Sequence, residues 1–311
     1  MTDMNVAAGV DIGGTKTAIG IVDDKGALLA KEVLPTDQSV SPYEMIDRMA
    51  QTIHHLLEGL GKTAEALSGI GIGAPGPLDS REGKIINPPN LTAWRDIEVT
   101  GRFKEHFAVP VTLENDANAA TLAEKWVGAA QDNDNFIYMT VSTGIGAGIY
   151  ANGQLITGKS GNAGDIGHMV IDPSFGSREG EIEGGFEYIA SGTGIARHAS
   201  KLLGESVTTA EVFQRANEGD QQLQEFVNMI FEKIGVGCVS LINILDPEKI
   251  VIGGGVTKVG RPLFDAVQAF VSERALGPRG RETVIVPSGL SQDSGVIGAA
   301  ALILYGKKAN Q

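Results

Sequence analysis

The sequence contains one cysteine, Cys238, in 311 residues. A single thiol excludes a disulfide framework and any metal site built from several cysteines, so we expect a reducing compartment. The N-terminus has neither the basic segment nor the long apolar core of a signal peptide, and the apolar run near Val296–Tyr305 is too short to span a bilayer. We therefore expect a cytoplasmic protein that does not bind membranes.

Positive charge is also scarce. There are 25 lysines and arginines against 38 aspartates and glutamates, which gives a net charge of -13, and no basic cluster occurs. This balance repels a nucleic-acid backbone, so we expect no nucleic-acid partner. The chain is long enough for two domains with cores of their own, and its 42 glycines concentrate in short loops after apolar runs, which suits a protein that binds small anions.

An apolar stretch near the N-terminus runs into a pair of glycines. Val6–Val10 predicts a β-strand, and Gly13 and Gly14 let backbone N–H groups approach an anion without a Cβ in the way. Thr15 and Lys16 add a hydroxyl and a positive charge. In a P-loop the lysine directly follows the last glycine and a helix begins, whereas here Thr15 displaces the lysine by one position. The stretch therefore predicts a phosphate-binding turn of another kind.

The residues after this turn predict two more strands rather than a helix. Residues 17–22 are apolar and β-branched, residues 23–26 form a polar turn, and residues 27–33 are again strand-like. Two antiparallel strands joined by such a loop are typical of the actin-like, RNase H-like α/β fold, in which the aspartate at the strand end, here Asp11, faces the metal. This stretch alone leaves an ordinary glycine-rich hairpin open.

The pattern of strand, glycine turn and strand occurs a second time over residues 138–156, with Thr143 and Gly144 in a shorter first loop. This internal duplication predicts two related domains, each offering a glycine hairpin to one polyphosphate. We expect an N-terminal α/β domain over residues 1–116 and a larger α/β domain over residues 117–294. The helix in residues 295–311 should fold back on the N-terminal domain.

Two other glycine segments follow predicted strands. Gly71–Gly76 matches the dinucleotide fingerprint G-x-G-x-x-G, but Pro77 and Leu78 stand where the fingerprint requires a helix, so we discount it. Gly254 and Gly255 belong to a triplet that would let a flat ring approach the backbone. We interpret that triplet as the adenine side of a nucleotide site, with a tight strand-to-helix turn as the alternative.

Six motifs occur in a fixed order along nearly the whole chain. They are D-x-G-G-T-K at Asp11–Lys16, G-x-G-x-P-G-P-x-D at Gly71–Asp79, N-P-P-N-L at Asn87–Leu91, E-N-D-A-N-A-A at Glu114–Ala120, S-T-G-I-G-A-G at Ser142–Gly148 and A-G-x-I-G-H at Ala163–His168. Together they resemble the ROK family of sugar kinases, which includes bacterial glucokinases, fructokinases and N-acetylmannosamine kinases. The resemblance implies the duplicated, two-domain actin-like fold and the ATP-dependent phosphorylation of a hexose-type hydroxyl, most simply O6 of glucose.

The resemblance also implies a role for each motif residue. Asp116 would be the catalytic base, and Asp11 would approach Mg²⁺ through water or ATP. The expected ATP-binding residues are Asp11, Gly13, Gly14, Thr15, Lys16, Thr143, Gly144, Gly254 and Gly255. The expected sugar-binding residues are Gly76, Asn90, Asn115, Asp116, Asp165, His168 and Glu187. Relatives also suggest a homodimer.

The position of Asp116, between a predicted strand and a predicted helix, bears on its chemistry. The N-terminus of a helix favours the charged form of a carboxyl group, so we expect the pKa of Asp116 to be lowered. Such a weak base can suffice, because phosphoryl transfer depends mainly on positioning and charge neutralisation. The alternative is a plain N-cap aspartate.

The sequence departs from the family pattern at two places. Most members bind a structural zinc through the histidine and a C-x-C-x4-C run, but Arg178, Gly180 and Gly185 occupy the cysteine positions here, so we expect no zinc. His168 must then be oriented by a backbone carbonyl or a carboxylate. Asp165 stands where glutamate is usual, and its carboxylate retreats by about 1.5 Å. A water or a differently substituted sugar would fill the gap, so an amino sugar, an N-acetyl sugar, fructose or a cyclitol stays open as the acceptor.

Three other functions compete with a sugar kinase. Family repressors carry a helix-turn-helix domain before the kinase-like body, but the phosphate motif begins here at Asp11, and the charge is acidic. An actin-like ATPase or polyphosphatase would keep the fold without a sugar, whereas the pattern from Asn115–Asp116 to His168 and Glu187 favours a sugar. A NAD-dependent oxidoreductase rests only on the discounted glycine fingerprint.

Overall fold

The computed structural model describes residues 5–177, 182–290 and 293–306. The strands are β1 (Val6–Ile12), β2 (Lys16–Asp23), β3 (Leu28–Pro35), β4 (Leu67–Ala74), β5 (Leu78–Asp79), β6 (Lys84–Ile85), β7 (Ile97–Glu98), β8 (Val111–Asn115), β9 (Phe136–Val141), β10 (Ile145–Ala151), β11 (Gln154–Ile156), β12 (Lys249–Gly253) and β13 (Val284–Pro287). The α-helices are α1 (Pro42–Gly59), α2 (Val99–His106), α3 (Asp116–Val127), α4 (Phe186–Ala190), α5 (Gly192–Leu203), α6 (Thr209–Asn217), α7 (Gln221–Leu245), α8 (Arg261–Arg274), α9 (Gly277–Arg281) and α10 (Ser294–Leu304).

The chain divides into two compact units. The first unit comprises Met1–Asp132, Gly153–Ala163 and Gly289–Gln311, and the second comprises Asn133–Asn152 and Gly164–Ser288. The boundaries expected from the sequence, at residues 116 and 294, stay a prediction.

The main sheets of the two units share one plan. In the first unit the strand order is β3-β2-β1-β4-β8, with β1 antiparallel to β2 and β4 parallel to both β1 and β8. In the second unit four strands follow the order β10-β9-β12-β13, with β9 antiparallel to β10 and β12 parallel to both β9 and β13. The last paired residues enclose four positions in the first hairpin, between Ile12 and Thr17, and three in the second, between Val141 and Ile145. The predicted duplication is therefore confirmed, with the shorter turn in the second copy.

Helix α1 follows from local sequence signals. Pro42 occupies the first turn, and Ser41 Oγ accepts a hydrogen bond from the Glu44 N–H at 3.1 Å. The Glu44 carboxylate binds Arg48 at 2.8 Å. The buried face of the helix, with Met49 and Ile53 among its members, packs into the core of the first unit. Helix α6 begins with a complete capping box formed by Thr208 and Glu211.

Helix α10 packs against β1, β4 and α3, all within the first unit. Glycines make this close approach possible, since a Cβ at Gly71 would lie 2.6 Å from the carbonyl carbon of Ala299, and one at Gly9 would lie 3.0 Å from the nitrogen of Ala300. The helix therefore runs directly across the backbones of the two strands. Its first turn consequently lies beside the end of β1, where Asp11 stands.

Helix α7 is the one helix of the described segments that is long and apolar enough, by composition, to cross a membrane. It is longer than the apolar run at Val296–Tyr305. One face of α7, including Phe226, Ile230 and Leu241, is buried in the core of the second unit, as is usual for the core helix of a globular domain.

Candidate active site

The turn between β1 and β2 is closed by its own backbone and by two threonines. The Gly13 N–H donates to the Lys16 carbonyl at 3.0 Å, and the Thr36 hydroxyl donates to the Gly13 carbonyl at 2.8 Å. Thr36 Oγ1 also lies 2.9 Å from Thr17 Oγ1. Thr15 and Lys16 are exposed. Neutral groups thus support the turn from behind, while Thr15 and Lys16 face solvent.

Asn90 lies directly against this turn. A Cβ at Gly14 would be 2.9 Å from the Asn90 carbonyl oxygen, so only glycine allows the approach. The Gln38 side-chain amide bridges the two segments by donating to the carbonyls of Gly14 (3.1 Å) and Asn90 (3.4 Å). One predicted sugar residue is thus held beside the predicted phosphate turn.

The junction of β8 and α3 presents Asn115 and Asp116. Asn115 is the N-cap, and its Oδ1 accepts from the N–H groups of Ala117 (2.9 Å) and Asn118 (3.3 Å). Asp116 is the first helical residue, and its Oδ1 accepts from the Ala117 N–H at 2.8 Å. The N-cap role that was the alternative for Asp116 therefore belongs to Asn115. Gly76 is close by, since a Cβ there would lie 3.8 Å from Asn115 Nδ2.

Two buried side chains that were not among the predicted site residues support this junction. Glu114 Oε1 accepts from the Asn115 N–H at 2.8 Å and from the Asn118 side-chain amide at 3.0 Å. Both residues are buried, and Asn118 Oδ1 has no hydrogen-bond partner among the described residues. Their presence in the E-N-D-A-N motif, one residue before Asn115 and two after Asp116, was the available signal.

The predicted direction of the Asp116 pKa was wrong. The pKa of the Asp116 carboxyl is raised, because desolvation by the surrounding protein outweighs the hydrogen bonds from the backbone and from Asn115. The residue nevertheless keeps substantial exposure to solvent, so its carboxyl group is partly desolvated rather than sealed from water. A raised pKa makes the carboxylate a stronger base than the helix N-terminus alone would allow.

Asp11, near the end of β1, is perturbed in the same direction. Desolvation, followed by repulsion from Asp116, raises the pKa of Asp11 from 3.8 to about 6, against smaller opposing effects of Lys16 and Lys31. A cation beside Asp11 would relieve both costs. The described residues contain no group of three or more His, Cys, Asp and Glu side chains that could hold a metal ion. A single desolvated carboxylate such as Asp11 fits Mg²⁺, which is commonly held by one or two carboxylates together with substrate phosphates.

The second unit carries the counterpart turn between β9 and β10. The Ser142 N–H donates to the Gly144 carbonyl at 2.9 Å, and the Thr193 hydroxyl donates to the Thr143 carbonyl at 2.8 Å. A Cβ at Gly255 would lie 3.7 Å from Ser142 Oγ. Gly254 has φ of 93°, and a Cβ there would lie 2.7 Å from the carbonyl carbon of Val141. The tight turn that was the alternative for this triplet is therefore present, and it brings Gly254 and Gly255 next to the turn of Thr143 and Gly144.

Glu187 supports the same turn. Its Oε2 accepts from the Ile145 N–H at 2.8 Å, and a Cβ at Gly144 would lie 3.1 Å from its Cδ. A Cβ at Gly167 would lie 3.1 Å from the Glu187 Cβ, so Gly167, the residue before His168, also packs against the Glu187 side chain. Glu187 therefore connects the second glycine turn with the segment that carries His168.

His168 and Asp165 lie near each other at a 3-10 helix, Ile166–His168. The His168 Nε2 is 3.7 Å from Asp165 Oδ2, and the two side chains are 73% and 60% exposed. At this separation the two atoms are not hydrogen-bonded. The expectation that a carboxylate or a backbone carbonyl orients His168 stays a prediction.

The segment after His168 is held by side chains of neighbouring helices. Asp172 forms an ion pair with Lys233 at 2.7 Å, and the ring of Phe175 packs edge-on against His198 at 5.3 Å. Two of the expected cysteine positions, Arg178 and Gly180, lie outside the described residues, and the third, Gly185, forms a β-bridge with Val170. The only thiol in the sequence, Cys238, is buried in α7. The residues present therefore do not fit a cysteine-ligated zinc.

Each unit thus gathers its own share of the predicted residues. The first unit holds Asp11, Gly13, Gly14, Thr15, Lys16, Gly76, Asn90, Asn115 and Asp116. The second unit holds Thr143, Gly144, Asp165, His168, Glu187, Gly254 and Gly255.

Comparison with known protein families matches residues 7–305 to the ROK family. The glucokinase of Thermotoga maritima is 32% identical, with 95% of this chain and 96% of its own length covered. The glucokinase of Halalkalibacterium halodurans is 35% identical, with 95% and 94% covered. The xylose repressor of Bacillus subtilis is 28% identical and matches over 77% of its length.

Solved structures agree with this assignment. The ROK hexokinase of Thermus thermophilus superimposes with a TM-score of 0.84 at 32% identity, covering 97% of this chain and 99% of that one. A ROK family glucokinase of Streptomyces griseus, in complex with glucose and AMPPNP, has a TM-score of 0.80 at 28% identity, covering 97% and 100%. A Listeria monocytogenes protein described as an N-acetylmannosamine kinase has a TM-score of 0.80 at 27% identity, covering 97% and 99%. The chain therefore belongs to the ROK family and has the actin-like, two-domain fold of its sugar kinases.

Proposed function

We propose that the protein phosphorylates a hexose hydroxyl with ATP, in the simplest case O6 of glucose. The observation that carries this proposal is the β8–α3 junction, where Asn115 caps the helix and leaves the Asp116 carboxylate exposed and more basic than usual. The glucokinases among its relatives, and the glucose and AMPPNP bound to the Streptomyces griseus enzyme, support the same acceptor and donor.

In the proposed reaction Asp116 accepts the proton of the acceptor hydroxyl. The hydroxyl oxygen forms a bond to the γ-phosphorus as the bond between that phosphorus and the bridging oxygen of ADP breaks. The raised pKa of Asp116 favours proton acceptance, and its helical backbone fixes the direction from which the proton is taken. The proton therefore ends on Asp116, and the phosphoryl group on the sugar.

The phosphates are assigned to the two glycine turns. Gly13, Gly14, Thr15 and Lys16 supply backbone N–H groups, a hydroxyl and a positive charge, while Thr143 and Gly144 supply the second turn. Gly254 and Gly255 are assigned to the adenine. Mg²⁺, when bound, neutralises phosphate charge, and Asp11 would hold it through water or the phosphates.

The sugar is assigned to Gly76, Asn90, Asn115, Asp116, Asp165, His168 and Glu187. Asp165 favours a second candidate acceptor, because its carboxylate is one methylene shorter than the usual glutamate. The space left by the shorter side chain would admit an amino or N-acetyl substituent on the sugar. The similarity to the Listeria monocytogenes protein, described as an N-acetylmannosamine kinase, supports an N-acetyl hexosamine as this second acceptor. We further propose a cytoplasmic homodimer that needs Mg²⁺ and binds neither nucleic acid nor membranes.

A coupled assay of ADP release tests this function. The protein is screened with Mg·ATP against glucose, mannose, fructose, glucosamine, N-acetylglucosamine, N-acetylmannosamine and inositol. We expect release that requires one of the hexose-type sugars, with glucose first and the N-acetyl sugars second. Release that is equally fast without any sugar would instead identify an ATPase, and absence of release with every sugar would overturn the kinase assignment.

A further inference from the structure

We propose that Gly295, at the start of α10, is a positioning residue for Asp11. The absence of a side chain at Gly295 leaves the space that the Asp11 carboxylate occupies. This inference deepens the proposed function and rests on the assignment of Asp11 to the Mg²⁺ and phosphate end of the site.

A side chain at Gly295 would meet the Asp11 carboxylate first. A Cβ at this position would lie 2.5 Å from Asp11 Cγ and 3.1 Å from Oδ1, and it would lie still closer to Oδ2. The three nearest atoms are all from the Asp11 side chain. A methyl group there would force the carboxylate to turn away while meeting no backbone at such distances.

Two other glycines at α10, Gly71 and Gly298, make room for backbone atoms rather than for a side chain. A Cβ at Gly71 would lie 2.6 Å from the carbonyl carbon of Ala299, and one at Gly298 would lie 2.5 Å from the carbonyl carbon of Ala119. Those contacts let backbones approach, so a methyl group would push α10 away from β4 or α3. Gly295 differs because its obstacle is the end of a side chain that can rotate.

The charges around Asp11 explain why its orientation matters. Asp116 repels the Asp11 carboxylate, while Lys16 in the first glycine turn and Lys31 on β3 attract it. Lys31 is itself paired at 2.5 Å with Asp293, the N-cap residue of α10. Helix α10 packs closely on β1 and β4, so a methyl group at Gly295 would have to be accommodated by Asp11. Turning the carboxylate moves a negative charge away from where the cation and phosphates are assigned.

The test compares three glycine-to-alanine variants made in the full-length protein. Gly295→Ala is the variant of interest, and Gly59→Ala is the matched control, because a Cβ at Gly59 has no heavy atom within 4 Å. Gly298→Ala represents a backbone clash. The measurements are kcat and KM for Mg·ATP with the preferred sugar, the thermal midpoint of unfolding, and the rise of that midpoint on adding Mg·AMPPNP.

We expect the thermal midpoint of Gly295→Ala to be no lower than that of the wild type. Its kcat/KM for Mg·ATP should fall on the order of 10- to 100-fold, because a small misplacement of a group at the reaction site can reduce the rate by that much. Its Mg·AMPPNP-induced rise in midpoint should shrink. Gly59→Ala should match the wild type in every measurement, whereas Gly298→Ala should lower the midpoint without ligand. In an Asp11→Ala background, Gly295→Ala should cause no further loss, because the obstructed group is gone.

Two results would overturn the inference. One is a Gly295→Ala variant as active and as strongly shifted by Mg·AMPPNP as Gly59→Ala, and the other is an equal further loss in the Asp11→Ala background. A wild type without activity on any sugar would overturn the proposed function instead. The Mg·AMPPNP-induced rise in midpoint, compared between wild type and Gly295→Ala, still tests the inference in that case.

Discussion

Asp11 and Asp116 in the first unit and Asp172 in the second are held in opposite ways. In the first unit, the pKa values of Asp11 and Asp116 are raised because desolvation disfavours their charged forms. In the second unit, hydrogen bonds from Lys233 and Ser174 lower the pKa of Asp172 to about 2. A carboxylate that is fully paired stabilises the fold, whereas one that is desolvated and underpaired is ready for a ligand.

The same contrast holds for the two glycine turns. Hydroxyl groups support the first turn from behind, which leaves Lys16 and Asp11 available as charges. In the second turn a carboxylate, Glu187, is itself the support, and the turn offers hydroxyl and backbone groups. The two turns therefore share a backbone plan, whereas a lysine belongs only to the first turn.

Replacing Asp116 should have the largest effect on activity. Asp116→Ala removes the proposed base, and we expect kcat to fall by about 10²- to 10⁴-fold, the usual contribution of a general base. Sugar binding should persist, because the remaining assigned sugar residues are untouched. Steady-state kinetics and a sugar-induced rise in the thermal midpoint measure the two quantities.

Asp172→Ala is the control from the other unit. It removes a carboxylate of the structural kind, so kcat should change little while the thermal midpoint falls. A near wild-type kcat in Asp116→Ala would contradict the base assignment, and so would a loss of activity in Asp172→Ala as large as that in Asp116→Ala.

The second largest effect concerns Asp11 and pH. Asp11 has a raised pKa of about 6 in the folded protein, against an ordinary value of 3.8, so the folded state binds its proton more tightly. The free energy of unfolding therefore falls as pH rises from 3.8 to 6, and the full penalty remains above pH 6. Asp11→Asn removes this penalty, so it should stabilise the protein at pH 7.5 by at most about 3 kcal/mol, at about 1.4 kcal/mol per pKa unit, while losing Mg²⁺-dependent turnover.

Urea unfolding of wild type and Asp11→Asn at pH 4 and pH 7.5, in buffer without Mg²⁺, measures this difference. The gain should be small at pH 4 and larger at pH 7.5. A gain in the free energy of unfolding that is the same at both pH values would mean that the pKa of Asp11 is not raised in the folded protein.

Much of the fold and part of the site could be predicted from the sequence. The hairpins and their duplication were predictable because strand periodicity and glycine turns are local signals, as Gly13 and Gly144 illustrate. The direction of the Asp116 pKa was not, since it depends on desolvation by protein that folds around the residue. The assignment of the N-cap was also out of reach, because Asn115 and Asp116 are both good capping residues and only backbone geometry separates them.

Contacts between distant parts of the chain account for the rest. The approach of Gly295 to Asp11 joins the two ends of the sequence, and nothing local to either residue indicates it. The pairing of Asp172 with Lys233 likewise joins a loop to a helix far along the chain. In both cases the sequence contains the right chemistry, and the topology decides which groups meet.

The Asp172–Lys233 pair should have a smaller effect. Lys233→Met leaves Asp172 without its main partner, and because both side chains are about one-fifth exposed, at 21% and 22%, we expect a loss of only about 1 kcal/mol. With its pKa lowered to about 2, Asp172 stabilises the fold above pH 3.8, and this contribution is lost as pH falls towards 2. The wild type and Lys233→Met should therefore differ at pH 7 and converge near pH 2 in urea unfolding. A difference that persists undiminished at low pH would show that Lys233 acts through packing on Phe175 rather than through the ion pair.

The smallest expected effect is that of a chelator. If the ion pair of Asp172 with Lys233 and the packing of Phe175 hold the segment after His168, no zinc is needed there, and EDTA should leave the thermal midpoint of the Mg²⁺-free protein unchanged. Metal analysis of purified, untagged protein should find far less than one zinc per chain. Stoichiometric zinc, or a fall in the midpoint on chelation, would mean that groups other than cysteines bind zinc at this segment. The side-chain contacts would then be an addition to a metal rather than its replacement, and the contrast between ligand-ready and structural carboxylates would have to include a metal in the second unit.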